Sequence, residues 1–225
     1  MKGKSSWSRG LIGYFSRRRW LVWAAGLFIV VFALLYLTGQ IHAQGDGYPT
    51  LYELSMPLGA VLIWLFFKFA LKQDLIEEFF MGWMFGIQWE IMTEPYWTYL
   101  PGKLNILVWA GKDIPLLALA GWGPAFTLAI LLSEALGKRL FGLNLRKIVF
   151  DWRTLVLDAV GIQVVGSLLE WFYGIKLHCW DYNIDFGIGK SPLGLGWEIH
   201  IGYMIVMFWY GTTFRVWKLK LEGKL

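Results

Sequence analysis

Six stretches of mostly apolar residues dominate this chain, each close to the length of about 20 that a helix needs to cross bilayer hydrocarbon. They run Trp20–Thr38, Leu51–Leu71, Ile76–Trp97, Ile114–Gly137, Thr154–Gly174 and Leu195–Phe214. A soluble domain usually carries about 25% charged residues; here the figure is 16%, against 57% apolar residues. The pattern predicts an all-α, polytopic membrane helix bundle of about six transmembrane helices, forming one integral membrane domain over residues 1–225. The first stretch follows Arg17-Arg18-Arg19, like the flank of a signal peptide. It is too long for that assignment and lacks a small-residue cleavage site, so it reads as a helix.

Charge fixes an expected orientation. With the N-terminus in the cytoplasm, 17 of the 21 Lys and Arg residues fall on that side. They sit in the basic segment 1–19, in two connections between helices, and in a basic tail over 215–225. Only Lys103, Lys112, Lys176 and Lys190 fall on the other side. The positive-inside rule then predicts a multi-pass protein with both termini cytoplasmic. The same rule absorbs the net charge of +5, so no basic patch is left to ask for nucleic acid. One cysteine excludes a disulfide framework or a Cys-built zinc site. Three scattered histidines exclude a His-box di-iron centre.

The acids run the other way. Glu53, Glu90, Glu94, Asp113, Glu170, Asp181, Asp185 and Glu198 all fall in the outer half or the outer loops. A charged side chain within a span is costly enough to be a functional candidate by default; the plainer alternative is pairing, with Lys112 and Lys190 at hand. On the third stretch Glu78, Gly82, Gly86, Glu90 and Glu94 recur every four residues, one face of a helix. Gly82 and Gly86 permit close helix approach. Gln163, Gly166, Ser167, Glu170 and Gly174 make a similar face on the fifth stretch, and Gly194, Glu198 and Gly202 on the sixth. The expectation is an outer cavity lined by Glu90, Glu170 and Glu198.

Two segments share an order of residues. Glu90, Trp97, Tyr99, Gly111-Lys112, Pro115-Leu116 and Gly121-Trp122 are echoed by Glu170, Trp180, Tyr182, Gly189-Lys190, Pro192-Leu193 and Gly196-Trp197. Both begin on an inside-to-outside helix, which makes the repeat parallel. Glu53, Pro57-Leu58 and Trp64 are a fainter third copy. Three pseudo-repeated helical hairpins are therefore expected, with each proline in the first turn of a returning helix, where no hydrogen bond is lost. Trp97, Tyr99, Trp122, Trp180, Tyr182 and Trp197 suit either an interfacial aromatic belt or the walls of a pocket whose rings attract a cation. Lys112 and Lys190 suit either snorkelling or contact with a lipid phosphate.

The second unit, with Glu170, Trp180, Tyr182, Pro192-Leu193 and Trp197, resembles the small integral-membrane enzymes of carotenoid and terpenoid modification. These are the bisanhydrobacterioruberin and carotenoid hydratases and the membrane lycopene cyclases built from repeated hairpins. The Pro-Leu-Glu-Glu run of the cyclases is absent; Pro-Leu is followed here by Leu117-Ala118 or Gly194-Leu195. The resemblance implies acid chemistry on an isoprenoid or other long apolar lipid: hydration, cyclisation or isomerisation of a double bond. The residues allow it on their own account. A neutral carboxylic acid in an apolar pocket can protonate an alkene, aromatic faces can stabilise the cation, and a second carboxylate can take up a proton or position water. Glu90 and Glu170 lead as acid and base, followed by Glu94, Asp113 and Glu198. No cofactor is implied, and the expected partners are the bilayer and a membrane lipid or isoprenoid. His178, Cys179 and Asp181 are crowded into four residues, a poor tetrahedral set, so no metal is expected. Two other classes remain open: a small-solute or cation transporter with an outer acidic site, and a non-catalytic membrane subunit. A blind aromatic slot favours the enzyme, a continuous wet path the transporter, and no cavity the subunit.

Overall fold

The computed structural model describes residues 18–44, 50–100, 104–115, 118–145, 148 and 150–224. The start of the basic N-terminal segment, up to Arg17, lies outside them, as do Lys103, Leu116, Leu117, Arg146 and Lys147. The molecule is 70% helical. Its long helices are α1 (Arg19–Leu37), α2 (Leu51–Phe69), α3 (Ile76–Thr93), α4 (Trp122–Phe141), α5 (Trp152–Glu170) and α6 (Trp197–Leu221). Two compact units are distinguished, one ending at His42 and one running from Ala43. The first is built on α1, whose side chains are mostly exposed and apolar, with Leu21 its buried residue. The second holds the other five helices.

Among the described residues, four helical segments are long and apolar enough to cross a membrane: Arg19–Leu37, Leu51–Phe69, Leu119–Phe141 and Trp152–Lys176. Helices α3 and α6 are not among these; α3 carries Glu77, Glu78 and Glu90, and α6 carries Glu198, Arg215, Lys218 and Lys220. Those charges are largely internal to the bundle. Arg215 donates to both carboxylate oxygens of Asp158 on α5 at 2.6 Å, and Ser133 on α4 donates to the same group at 2.6 Å. Lys218 donates to Glu78 at 2.8 Å. Asp158 on α5 thus pairs with α6. The expected basic tail over 215–225 is helix as far as Leu221, and within it Arg215 and Lys218 have partners on α5 and α3.

Element ends follow local chemistry. Thr50 and Glu53 form a reciprocal cap at the start of α2, satisfying two backbone donors that a helix start leaves unpaired. Asp151 caps α5 and also holds the Arg153 side chain. Helix α3 stops at Thr93, short of the expected Trp97, where Pro95 lies in a tight turn over Glu94–Tyr96 and cannot donate to the helical ladder. Gly142 ends α4 in the left-handed conformation at φ +64.

Short strands interrupt the expected all-helical pattern. After β1 (Ile41–Gln44), the loops carry β2 (Trp97–Tyr99), β3 (Ile106–Trp109), β4 (Lys112–Ile114) and β5 (Trp180–Tyr182). Strands β3 and β4 form a hairpin whose two turn residues, Ala110 and Gly111, both have positive φ, matching the twist of a two-residue hairpin. The fourth helix therefore begins at Trp122, not Ile114. Pro115 lies between the hairpin and a helical turn over Ala118–Gly121, and Pro192 lies in a turn where the Gly194 N–H donates to the Ser191 carbonyl. Neither proline opens a returning helix. Gly194, at φ +82, belongs to that turn and not to the face of α6.

Glycine packing brings the helices close. A Cβ on Gly82 would sit 2.9 Å from the Gly123 carbonyl oxygen, and one on Gly86 would collide with the Trp122 side chain. One on Gly161 would collide with the Ala129 carbonyl. Helix α4 is thus gripped between α3 and α5. Phe85, Phe126, Ile162, Val206 and Tyr210 fill the space below.

Candidate functional site

Two of the predicted carboxylates meet in one cavity of about 220 Å³. Glu90, at the end of α3, is only 4% exposed. Its Oε1 accepts from the Trp97 indole at 3.1 Å and its Oε2 from the Trp122 indole at 3.1 Å. Glu170, at the end of α5, accepts from Trp180 at 3.1 Å and Tyr182 at 2.6 Å on Oε2, and from Tyr203 on Oε1. The two shells touch, because the Tyr203 ring lies 6.0 Å from that of Trp122.

A two-stranded ribbon sets this geometry. Strands β2 and β5 pair antiparallel, with Trp97 opposite Tyr182 and Tyr99 opposite Trp180. A donor to Glu90 is thereby held across from a donor to Glu170. The chain covers seven residues from Glu90 to Trp97 and ten from Glu170 to Trp180. The widened helical turn over Trp171–Lys176 falls in the longer stretch. Gly174 in that turn makes room for the Tyr182 hydroxyl and Trp180 indole, both of which a Cβ would strike. Burial first, then the Glu170 charge, pushes the Tyr182 hydroxyl well above its ordinary pKa; it stays protonated and donates.

The partners differ in kind. An indole N–H donates and cannot accept, whereas a phenol does both. A proton placed on Glu90 finds no acceptor in Trp97 or Trp122. Glu170 receives three donors, which suits it to carrying negative charge.

The other expected site residues lie elsewhere. Glu198 is buried, but its Oε1 accepts from the Phe186 backbone N–H at 2.9 Å; it braces the loop before α6. Glu94 accepts from the Asp113 backbone N–H at 3.2 Å and lies 3.7 Å from the Lys112 ammonium. Glu94, Asp113 and Lys112 thus form a cluster on the β3–β4 hairpin and do not line the cavity. Trp197 is 44% exposed, with its ring 5.2 Å from His200, and Lys190 is exposed. Glu53, the acid of the third echo, is consumed by its cap and by Asn105, whose backbone and side chain both donate to it at 2.6 Å. Among the described residues no His, Cys, Asp and Glu cluster could hold a metal; His178 instead lies 2.7 Å from Asp181.

Trp97, Tyr99, Trp122 and Trp180 do line the cavity, and Tyr182 reaches it through Glu170. Sequence reasoning missed Tyr203 and Tyr173. Tyr203 lies one residue beyond the Gly194-Glu198-Gly202 series, and nothing in that spacing singles it out. No family model matches the chain, and no curated protein or solved structure is similar to it.

Proposed function

We propose that this protein is an integral membrane enzyme that modifies a double bond of a long apolar isoprenoid or lipid by carboxylic-acid catalysis. The observation that carries this is the pair Glu90 and Glu170 in a single, mostly apolar, aromatic-walled cavity, with Glu90 held, among the described residues, by two indoles that cannot accept its proton. Protonated Glu90 delivers its proton to one alkene carbon and forms a C–H bond. The tertiary cation left on the neighbouring carbon is stabilised by the Trp and Tyr faces. Water then adds, its spare proton passing to Glu170; alternatively Glu170 removes a proton from an adjacent carbon, which gives the isomerised alkene. For ring closure, a second double bond of the same chain first attacks the cation, and Glu170 takes the proton next to the cation that this leaves, which gives the cyclised alkene. Proton return from Glu170 to Glu90 resets the pair. Hydration adds one water, and the other outcomes leave composition unchanged.

Six spans with both termini cytoplasmic fit this reading. Helices α3 and α6 bury charge in pairs, Asp158 with Arg215 and Glu78 with Lys218, which lowers the cost of placing them in a bilayer. The site then lies toward the non-cytoplasmic face. Below it Phe126, Ile162 and Val206 are fully buried, and this closed floor supports a blind slot over a transport path. The resemblance to carotenoid hydratases and cyclases supplies the substrate class.

The test is lipid and pigment extraction from cells expressing the wild type, Glu90→Gln or Glu170→Gln. The wild type should yield a product shifted by one water or isomeric with its precursor, and each variant should lower its amount at least 100-fold at equal membrane abundance. Unchanged product from both variants overturns the acid role.

A further inference from the structure

We infer that the cavity is filled sideways from the bilayer, between α2 and α5, and that it takes only the end of a linear hydrocarbon chain. The inference rests on the proposed reading of the cavity as a site for an apolar substrate, and it concerns how much of that substrate enters and by which route.

Size comes first. A liquid water occupies about 30 Å³ and a methylene a similar share, so a cavity of about 220 Å³ holds roughly seven to ten carbons. Sites that enclose a whole drug-sized ligand are larger, about 300–1,000 Å³. A long isoprenoid therefore cannot be enclosed; one end, near two isoprene units, fills the space and the rest of the chain lies outside it.

The route follows from where the lining retains exposure. The walls given by α3 and the start of α4 are buried, as at Glu90, Pro124 and Ala125. The walls given by α2 and α5 are half-exposed, at Gly59, Ala60 and Ile63 on one and Val165 and Leu169 on the other. The flanking side chains Leu58, Leu62, Val164 and Leu168 are exposed and apolar. An opening on this side meets hydrocarbon, not water. Gly59 leaves it wide, since a Cβ there would meet nothing within 4 Å. From Ser55 to Ile63 the wall extends about 12 Å at the α-helical rise, a length that suits a chain end of this size. Toward the ribbon the gap is closed by one hydrogen bond, Ser55 Oγ to the Tyr173 hydroxyl at 2.9 Å. That contact latches the upper edge of the slot and holds an inserted tip beneath Trp97 and Trp180, within reach of both carboxyl groups.

Photolabelling tests this with the full chain in phosphatidylcholine vesicles. The probe is a linear C16 hydrocarbon with an alkyne at one end and a diazirine either at the opposite tip or at mid-chain. The tip probe should label peptides carrying Met56 and Leu169, and Gly59→Leu or Ile63→Trp should each cut that labelling at least fivefold; having two variants guards against one failing to fold. The mid-chain probe should label the flank around Leu62 and Leu168 instead. Leu62→Phe, on the lipid side, should leave tip labelling unchanged. Equal tip labelling in wild type and both slot variants, or cavity labelling by the mid-chain probe, overturns the inference. If tip labelling is lost in Gly59→Leu while Glu90→Gln and Glu170→Gln keep full product, the slot stands and the acid reading falls. If those two variants lose product while the slot variants label normally, the acid reading stands and the slot falls.

Discussion

Replacing Arg215 by Met would leave the Asp158 carboxylate buried, with Ser133 its one remaining partner among the described residues. The ion pair is almost wholly enclosed, with Asp158 and Arg215 side chains 1% and 2% exposed. Gly211 on the same helix lies against Asp158, where a Cβ would strike the carboxylate, so there is little room for water to replace the guanidinium. Removing one partner from a buried pair costs about 3–5 kcal/mol, roughly 150- to 5,000-fold in the folding equilibrium. The double variant Asp158→Leu with Arg215→Met exchanges both charges for apolar groups and should recover most of that loss, because the penalty arises from the orphaned charge and not from a missing attraction. Reversible unfolding in mixed dodecylmaltoside–SDS micelles, followed by circular dichroism, measures Arg215→Met, Asp158→Leu and the double variant against the wild type. A cost under about 1 kcal/mol for Arg215→Met, or a double variant equal to the sum of the singles, would refute the reasoning, since coupled sites must depart from additivity.

Gly82→Leu should destabilise by about 1–3 kcal/mol in the same unfolding assay, because its Cβ alone already presses on the Gly123 carbonyl; a smaller loss would mean that α3 and α4 are not in contact there. Glu94→Gln should leave product formation unchanged and cost under about 1 kcal/mol, as expected for a partly exposed pair with Lys112; a loss of product comparable to that of Glu90→Gln would restore Glu94 to the site. Asp151 is held down to about 2 by the Arg153 side chain and backbone N–H, against an ordinary 3.8. Its folded pKa is the lower one, so its contribution is present above about 4 and is lost as pH falls through about 2. Asp151→Asn should therefore flatten that part of the acid limb of an unfolding-versus-pH profile, and an identical profile would exclude the contact.

Much of the helical framework could be read from periodicity, because apolar runs and small-residue faces carry it directly. Ile76 and Leu51 start helices where expected, and Gly82 and Gly86 make the close approach that their spacing announces. The acids were harder to sort. Glu53, Glu90, Glu170 and Glu198 look alike in sequence, yet Glu53 spends both oxygens, and Glu198 its Oε1, on backbone N–H groups outside the cavity. For Glu198 and for the Asn105 contact of Glu53 that difference arises from loops remote in sequence, whereas the cap between Thr50 and Glu53 is a local Thr-x-x-Glu pattern. The repeat located Trp97 and Trp180 correctly beside Glu90 and Glu170. It failed at Trp197, whose counterpart Trp122 reaches Glu90 while the corresponding place at Glu170 is taken by Tyr203. The strands escaped notice because three- and four-residue segments are too short for a period to emerge.

The ribbon of β2 and β5 joins stretches of chain more than eighty residues apart. During synthesis, the first carboxylate and its indole are in place long before the second strand has left the ribosome. Until then the aromatic roof lacks half its width and the emerging chain carries no working pocket. A protein cut off before residue 180 would retain five of the long helices and Glu170 itself, yet nothing would hold the two acids under a common cover.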